Sequence, residues 1–174
     1  MLKREIGTII RRTKGFYYLR NDVNETVECK IKGLLFRDSR FDNQAAVGDR
    51  VVYQKTEKDD LGLIIEIEPR SSFLSRTRIG KEVEQVIAAN IDYLLIVSAT
   101  KDPAFRFNLI CRMLVAASVG KITPVLVITK TDLIPKEAID HLLAPFRGLE
   151  LDCFLSTTQE PEQNPELSKL LKNG

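Results

Sequence analysis

A lysine and an aspartate follow an apolar run in the segment PVLVITKTDLIP, residues 124–135. The run predicts a buried strand, and Thr129-Lys130-Thr131-Asp132 comes directly after it. Ser156 follows the next apolar run, LELDCFL, in the same way. Because ligands of open α/β sheets bind beyond the carboxyl ends of the strands, we expect the two polar clusters to lie side by side in a binding site.

The Thr-Lys-Thr-Asp segment has the groups needed to bind a purine base. An aspartate can accept two parallel hydrogen bonds from the imino N–H and the exocyclic amine of guanine, and adenine offers no such pair. A bidentate base contact contributes about 1–3 kcal/mol of discrimination. The methylene stem of Lys130 would cover one face of the ring, and Ser156 or its N–H would meet the carbonyl oxygen. The alternative is that Asp132 only caps the helix predicted after Pro135.

The composition excludes several classes of protein. The chain has 174 residues, of which 44% are hydrophobic and 29% charged, as is typical of a globular protein with one ordinary or two small domains. Its apolar runs are shorter than the roughly 18 residues of a membrane-spanning helix, and the N-terminus has no secretory signal pattern. Three scattered cysteines and one histidine argue against a zinc site and a disulfide framework. We therefore expect a cytoplasmic protein with no membrane partner.

Most basic clusters lie in the first 81 residues, although the net charge is only +2. Lys and Arg neutralise phosphates and release counterions, which favours a nucleic-acid partner. Acidic residues are interleaved with them, so a solvated surface of mixed charge is the alternative. The candidate RNA-binding residues are Arg11, Arg12, Lys14, Lys30, Lys32, Arg37 and Arg40. Aromatic residues nearby would either stack on bases or fill a core, namely Phe16, Tyr17, Tyr18, Phe36, Phe41 and Tyr53.

Short strands are predicted throughout the first 70 residues. The segment ETVECKIKG alternates Val27, Cys29 and Ile31 with charged residues, which is the period of a half-buried strand, and Lys14-Gly15 marks a turn. Short strands about ten residues apart indicate a small closed barrel, because closure removes exposed strand edges. The barrel is either of the OB type or SH3-like, and strand count alone does not separate the two.

The pattern changes after a basic segment, RSSFLSRTRIGKEV, which has no clear period and lies in a predicted linker over residues 71–88. The apolar runs in YLLIVSA, PVLVIT and LELDCFL are typical of strands buried on both faces. Between them, FRFNLICRMLVAASVG and PKEAIDHLLAPF have helical spacing, with Gly120 as a C-terminal stop. A further short helix begins in NPELSKLLKNG. This alternation predicts a parallel sheet with helical crossovers over residues 89–174.

The ordered set of motifs resembles the circularly permuted GTPases that assist maturation of the small ribosomal subunit, the ribosome small-subunit-dependent GTPase A family. VGDRVVY and IIEIEPRSSFLSR resemble the end of the family's OB domain and its linker. VIAANIDYLLIVSA, FRFNLICRMLVAASVG and PVLVITKTDL resemble its first GTPase-domain strand, the next helix and its guanine-specificity motif. The resemblance covers the whole chain. It implies an OB-type barrel at residues 1–70 and a partial α/β domain, P-loop GTPase-like and permuted, at residues 89–174.

The resemblance also implies roles for single residues. The motif N/T-K-x-D and the family's second guanine motif fall on Thr129, Lys130, Thr131, Asp132, Ser156 and Thr157. Asp132 would hold the guanine edge, Lys130 would cover the ring and Thr129 would tie the loop together. Thr129 replaces the commoner asparagine, and Thr157 stands where alanine is frequent. The implied ligand is GTP or GDP, and the implied partners are the small ribosomal subunit and its rRNA.

The phosphate-loop pattern G-x-x-x-x-G-K-[ST] does not occur in these 174 residues. Gly80-Lys81 and Gly120-Lys121 lack both the following Ser or Thr and the earlier glycine. In the family, the phosphate loop, the magnesium and switch motifs and a Cys/His zinc module would follow Gly174. We therefore expect no catalytic residue and no GTP hydrolysis from this chain alone. We also expect the second predicted strand to lack a neighbour, and such an exposed edge favours self-association.

Two other functions remain open from the residues. One is a nucleotide-independent RNA-binding OB module with an inactive α/β remnant, which rRNA protection without nucleotide would favour. The other is an unrelated α/β enzyme with a different ligand at Lys130 and Asp132, which guanine selectivity would disfavour. No catalytic pair supports the enzyme, because His141 is predicted on a helix surface. The cysteines are predicted to fill the core, at Cys29, Cys111 and Cys153.

Overall fold

The chain folds into two compact units, Met1–Ile91 and Asp92–Gly174. The computed structural model describes residues 3–31, 33, 41, 45–55, 61–77, 83–159 and 164–172. Three of the candidate RNA-binding residues, Lys32, Arg37 and Arg40, lie outside these described residues, as does Phe36. No helix within the described ranges is both long and apolar enough to cross a membrane.

The first unit contains a closed five-stranded barrel. Its strands are β1 (Arg4–Thr13), β2 (Phe16–Asn21), β3 (Thr26–Ile31), β4 (Arg50–Lys55) and β5 (Gly62–Ile67). They pair in the order β1-β2-β3-β5-β4, with β4 returning to β1, and β3 runs parallel to β5. This Greek-key closure is that of an OB-type barrel rather than an SH3-like one, so the fold implied by the resemblance is confirmed.

Alternating residues of the barrel strands fill its core. The buried cluster consists of Ile9, Leu19, Val27, Cys29, Ala45, Val51, Tyr53 and Ile64, with Tyr17, Ile31 and Ile67 packed against it. The predicted alternation in β3 is confirmed, because Val27 and Cys29 point inwards. Burial raises the pKa of the Cys29 thiol from 9.0 to about 12. Burial, assisted by the hydrogen bond that the Tyr53 hydroxyl donates to Glu5 (2.7 Å), raises the pKa of Tyr53 from 10.0 to about 12.

The segment predicted as a linker contains two strands. β6 (Phe73–Thr77) and β7 (Glu84–Ala89) form an antiparallel sheet, with a register shift between Leu74 and Ser75. The shift explains why the sequence shows no clear period here, since a bulge breaks the two-residue alternation. Isolated bridges join β7 to Phe41 and Val47, so this sheet belongs to the first unit.

Hydrogen bonds connect the residues that flank β6 and β7 to one another and to the segment before β4. The Asp49 carboxylate has no exposed surface and accepts two hydrogen bonds from Arg70, at 2.7 and 2.8 Å, and one from the Ala46 N–H at 2.7 Å. Asn90 donates to the Gly48 carbonyl at 3.0 Å and accepts from the Ser71 N–H at 2.9 Å. Apart from the contact between Ala46 and Asp49, these contacts join residues about 20 to 40 positions apart, which a local sequence pattern does not reveal.

The second unit is a three-stranded parallel sheet with helical crossovers. Its elements are β8 (Tyr93–Ala99), α1 (Phe107–Gly120), β9 (Thr123–Thr129), α2 (Lys136–Leu143), β10 (Asp152–Leu155) and α3 (Pro165–Lys172). The core consists of Ile96, Ile110, Leu126, Ile128 and Phe146. The predicted parallel sheet is confirmed. Gly120 is the last residue of α1, and Lys121, at φ 56°, takes the left-handed cap conformation expected of a glycine.

Two predictions for this unit are wrong. The sheet order is β10-β9-β8, so the second strand, β9, has a neighbour on each side, and β8 and β10 are the edges among the described strands. Sequence order does not fix sheet order, and β10 joins β9 on the side away from β8. Cys153 is exposed on the edge strand β10 and does not fill the core, although partial burial raises its pKa. Cys29 is buried as predicted and Cys111 is partly buried.

Candidate guanine-recognition site

The Thr129-Lys130-Thr131-Asp132 segment, here called the base-recognition motif, begins at the last residue of β9 and enters a short 3₁₀ turn, Thr131–Leu133. The end of β10 lies beside it. The Ser156 N–H donates to the Ile128 carbonyl at 2.8 Å, and the Thr131 hydroxyl donates to the Ser156 carbonyl at 3.3 Å. The two polar clusters that follow β9 and β10 in the sequence are therefore in direct contact.

Asp132 contacts the second of these clusters through its side chain. The Thr157 hydroxyl donates to Oδ1 of Asp132 at 2.7 Å, and Gln159 Nε2 lies 3.5 Å from Oδ2. The Gln159 N–H in turn donates to the Thr157 hydroxyl at 3.2 Å. The α2 helix has Pro135 at its N-cap and no side-chain capping hydrogen bond, so Asp132 does not serve as its cap. The carboxylate is instead oriented by the neighbouring strand end.

Lys130 adopts the left-handed conformation, with φ 57°, and its side chain is held by the loop after β8. Its ammonium donates to the Asp102 carbonyl. Its own carbonyl accepts from the Thr100 hydroxyl at 2.6 Å, and the Thr100 N–H donates to the Thr129 carbonyl at 3.0 Å. The Thr129 backbone carbonyl thus takes part in the contacts between the motif and the loop after β8.

An open cleft of about 330 Å³ adjoins the Asp132 carboxylate. Ligand sites span about 300–1,000 Å³ and combine apolar walls with a few polar groups. The apolar lining comes from Ile134, Ile139 and Leu155, and the polar lining includes Asp132, Thr157 and Gln159. Thr131 and Lys136 complete the lining, whereas Thr129, Lys130 and Ser156 do not line this cleft.

Thr100, Gln159 and the apolar lining of the cleft are not among the site residues predicted from the sequence. One feature of the sequence pointed to Thr100: it is a polar residue directly after the apolar run of β8, as Lys130 is after β9. Gln159 follows the Ser156-Thr157 pair within a polar loop, where spacing alone distinguishes no residue. His141 is exposed on α2, as predicted.

The outer face of β1, β2 and β3 carries cations stacked on aromatic rings. The Arg11 guanidinium lies 3.8 Å from the centre of the Tyr18 ring, and Lys30 Nζ lies 5.0 Å from that of Phe16. These four residues, here called the cationic–aromatic face, share one side because Arg11 pairs with Tyr18 and side chains alternate along β2. A register shift between Ile9 and Arg11 brings the arginine onto this side.

Two further candidate RNA-binding residues of the described barrel are exposed at the end of β1 and in the turn after it. Arg12 lies over the Tyr17 ring, with 5.7 Å between its guanidinium carbon and the ring centre, and Lys14 is exposed in the β1–β2 turn. The aromatic residues divide between the core and the surface. Tyr53 is fully buried in the core, whereas Phe16 and Tyr18 are on the surface under cations.

Comparison with known proteins relates both units to one family. The family described as RsgA GTPase matches residues 67–174, and the RsgA N-terminal domain matches residues 6–64. A curated relative, the small ribosomal subunit biogenesis GTPase RsgA of Chlorobaculum parvum, is 30% identical over 96% of this chain and 56% of its own length. The protein of the same name from Bacillus subtilis is 30% identical over 90% of this chain and 50% of its own. The chain thus spans about half the length of these relatives.

Solved structures agree with this relationship. The structure of YloQ, described as a circularly permuted GTPase, is 28% identical and superposes with a TM-score of 0.67 over 98% of this chain and 56% of that one. YjeQ from Thermotoga maritima, at 22% identity and a TM-score of 0.71, covers 97% of this chain and 57% of its own, and shows the same fold. Because the GTPase family match alone covers more than half of the residues, this chain belongs to the RsgA GTPase family.

Proposed function

We propose that this chain recognises the base of GTP or GDP and acts within a GTPase of small ribosomal subunit biogenesis. The observation that supports base recognition most directly is the Asp132 carboxylate at the cleft, oriented by the Thr157 hydroxyl at 2.7 Å. A carboxylate fixed in this way has both oxygens at defined places, and each oxygen has a second lone pair that can accept from the guanine edge. The sequence contains no phosphate-loop pattern, so the proposal assigns these residues base recognition and not hydrolysis.

Titration with GDP and ADP, followed by two-dimensional NMR, tests this proposal because it detects weak binding. We expect GDP to shift the signals of residues around Asp132 and ADP to shift them less. Asp132→Ala should weaken GDP binding at least about fivefold, since a bidentate base contact contributes about 1–3 kcal/mol. Asp152→Ala is the matched control, because this exposed aspartate lies at the other end of the adjacent strand. Equal responses to the two nucleotides would contradict base recognition.

We further propose that the cationic–aromatic face contacts rRNA of the small subunit. Stacked cations and aromatic rings suit single-stranded nucleic acid, because rings stack on bases while cations neutralise phosphates. Arg11, Arg12, Lys14 and Lys30 are all exposed, as this function requires. The relatives are named for small-subunit biogenesis, which is why we propose the small ribosomal subunit as the partner and the cytoplasm as the place of action.

The salt dependence of binding to small-subunit rRNA tests the second proposal. Arg11→Gln combined with Lys30→Gln should make the slope of log affinity against log salt shallower by about 1.4–1.8, which corresponds to two lost phosphate contacts. Lys169→Gln, on α3 of the other unit, is the control for a general loss of positive charge. An unchanged slope in the double variant would exclude this face as the contact surface.

We also propose that the chain self-associates through the edge of β8. This strand has one free side among the described strands, and Val97 on it is 63% exposed. Unpaired backbone groups on an apolar edge strand favour pairing with a second copy. Sedimentation equilibrium should show a mass that rises with concentration, and Val97→Lys should suppress the rise. A monomer over the whole concentration range would contradict this proposal.

A further inference from the structure

Thr100, the residue immediately after β8, contacts the base-recognition motif although it belongs to none of the guanine motifs. We propose that Thr100 is a positioning residue for base recognition, which it supports by holding the backbone of Thr129 and Lys130. This inference rests on the proposed function of the motif. It adds that the selectivity for guanine depends on a hydroxyl group that does not itself touch the base.

Two hydrogen bonds connect Thr100 to the motif. Its N–H donates to the Thr129 carbonyl at 3.0 Å, which extends the β8–β9 pairing one residue past the last paired positions, Ala99 and Thr129. Its hydroxyl donates to the Lys130 carbonyl at 2.6 Å. Only 8% of Thr100 is exposed, so water does not readily replace the hydroxyl as the donor.

The bond from the hydroxyl acts where the backbone changes direction. Lys130 has φ 57°, a conformation that residues with a side chain rarely adopt, and the 3₁₀ turn that contains Asp132 starts directly after it. The Lys130 carbonyl also accepts from the Leu133 N–H at 3.2 Å, so it links the turn to Thr100. When the Thr100 hydroxyl is removed, the carbonyl loses one of its two donors and the left-handed residue becomes free to relax.

Relaxation at Lys130 would move both groups proposed to contact the base. The ammonium of Lys130 is fixed to the Asp102 carbonyl, two residues after Thr100, so the same loop holds both the backbone and the tip of the lysine. Asp132 follows two residues later in the turn and is held from the other side by Thr157. Thr100 thus positions the β8 side of the motif, as Thr157 positions the β10 side.

The test compares Thr100→Val, Thr100→Ser and Thr123→Val in the whole chain, with GDP and ADP as the probes in the NMR titration. Valine matches threonine in shape and removes the hydroxyl, whereas serine keeps it. Thr123→Val is the matched control, because Thr123 is exposed at the opposite end of β9. We expect Thr100→Val to weaken GDP binding about fivefold to tenfold, as the loss of one buried hydrogen bond implies, and to change ADP binding less than twofold. Thr100→Ser should remain within about twofold of the unsubstituted chain.

The outcomes separate this inference from the proposed function. If Asp132→Ala leaves GDP binding unchanged, the proposed function fails and the inference fails with it. If Asp132→Ala weakens binding but Thr100→Val behaves like Thr123→Val, only the inference fails. An equal loss of GDP and ADP binding in Thr100→Val would show a general structural role and also overturn it. If Thr100→Val does not fold, Thr100→Ala replaces it, and equal GDP affinity for the alanine and serine variants would overturn the inference.

Discussion

The cationic–aromatic face of the barrel and the base-recognition motif of the sheet are both proposed binding surfaces, but different interactions support them. Arg11, Tyr18 and Lys30 project outwards from strands whose opposite side chains form the core, so the residues that bind and the residues that fold the barrel are separate. At the motif, the Thr157 hydroxyl donates a hydrogen bond to the Asp132 carboxylate, so the same hydrogen bond shapes the site and orients a binding group. We therefore expect substitutions on the strand faces to change binding without changing the fold, whereas substitutions at the strand ends also change the geometry of the site.

The largest expected effect is in the first unit, at Gly48. Gly48 has φ +90°, and a Cβ there would lie 1.9 Å from the Ala89 carbonyl oxygen. Gly48→Ala should lower the free energy of unfolding by about 3–5 kcal/mol, because a steric clash is added to the cost of left-handed backbone. Gly15→Ala is a matched control, since Gly15 has φ +92° and nothing within 4 Å of the added Cβ. Urea unfolding measures both, and equal losses would show that the contact with Ala89 is unimportant.

The next effect concerns the buried ion pair that holds the β6–β7 sheet. Arg70→Met should destabilise the first unit by about 3–5 kcal/mol, because it leaves the fully buried Asp49 carboxylate without its counter-charge. Arg50→Met removes the same type of residue from an exposed pair with Glu68, at 3.3 Å, and should cost at most about 1 kcal/mol. Thermal unfolding of the two variants measures the difference. Similar shifts would indicate that the β6–β7 sheet is held by other contacts.

A third effect, also confined to the barrel, depends on pH. The folded state raises the pKa of Cys29 from 9.0 to about 12 and that of Tyr53 from 10.0 to about 12. Both groups therefore stay protonated in the folded chain after the unfolded chain has lost these protons. Because the folded state binds more protons in this window, the free energy of unfolding should fall as pH rises above about 9.

Urea unfolding at a series of pH values checks this dependence. Cys29→Ala should make the fall shallower from its start near the ordinary thiol pKa of 9.0, and Tyr53→Phe should do so above about 10. The quantity compared is the slope of the free energy of unfolding against pH, not the overall stability of each variant. Slopes identical to that of the unsubstituted chain would show that neither group is responsible.

The sequence predicts the periodic elements and the place of the motif, but not the contacts between distant residues. The alternation of Val27 and Cys29 and the apolar runs of β8 and β9 each follow from local composition, which is why the barrel and the parallel sheet were predictable. The expectation that β9 would lack a neighbour was wrong, because local composition does not show which side of β9 the chain returns to, and β10 fills the side away from β8. The β6–β7 sheet was missed because the register shift between Leu74 and Ser75 breaks the two-residue alternation that would identify a strand.

The candidate site likewise combines residues that the local sequence pattern identifies with residues that only the structure reveals. Lys130 and Asp132 are visible as polar residues after a buried run, and parallel strands bring Ser156 next to them. The hydrogen bonds of Thr100 and Gln159 depend on the conformation of loops, for which no periodic pattern exists. A strand-end site can thus be located from sequence, while the residues that orient its groups require the structure.

The smallest expected effect is at the motif and tests whether orientation of the carboxylate matters apart from its presence. Thr157→Val removes the hydroxyl that donates to Asp132 and should weaken GDP binding about threefold to tenfold, since an exposed hydrogen bond to a charged group contributes about 1 kcal/mol. Thr158→Val, at the adjacent exposed residue, is the control and should change binding less than twofold. Thermal stability should change little in both, because the Thr157 bond lies at the surface. If Thr157→Val binds GDP as tightly as Thr158→Val does, the Asp132 carboxylate needs no support from the residues after β10. On this side of the site, the hydrogen bonds at the strand ends would then not contribute to binding.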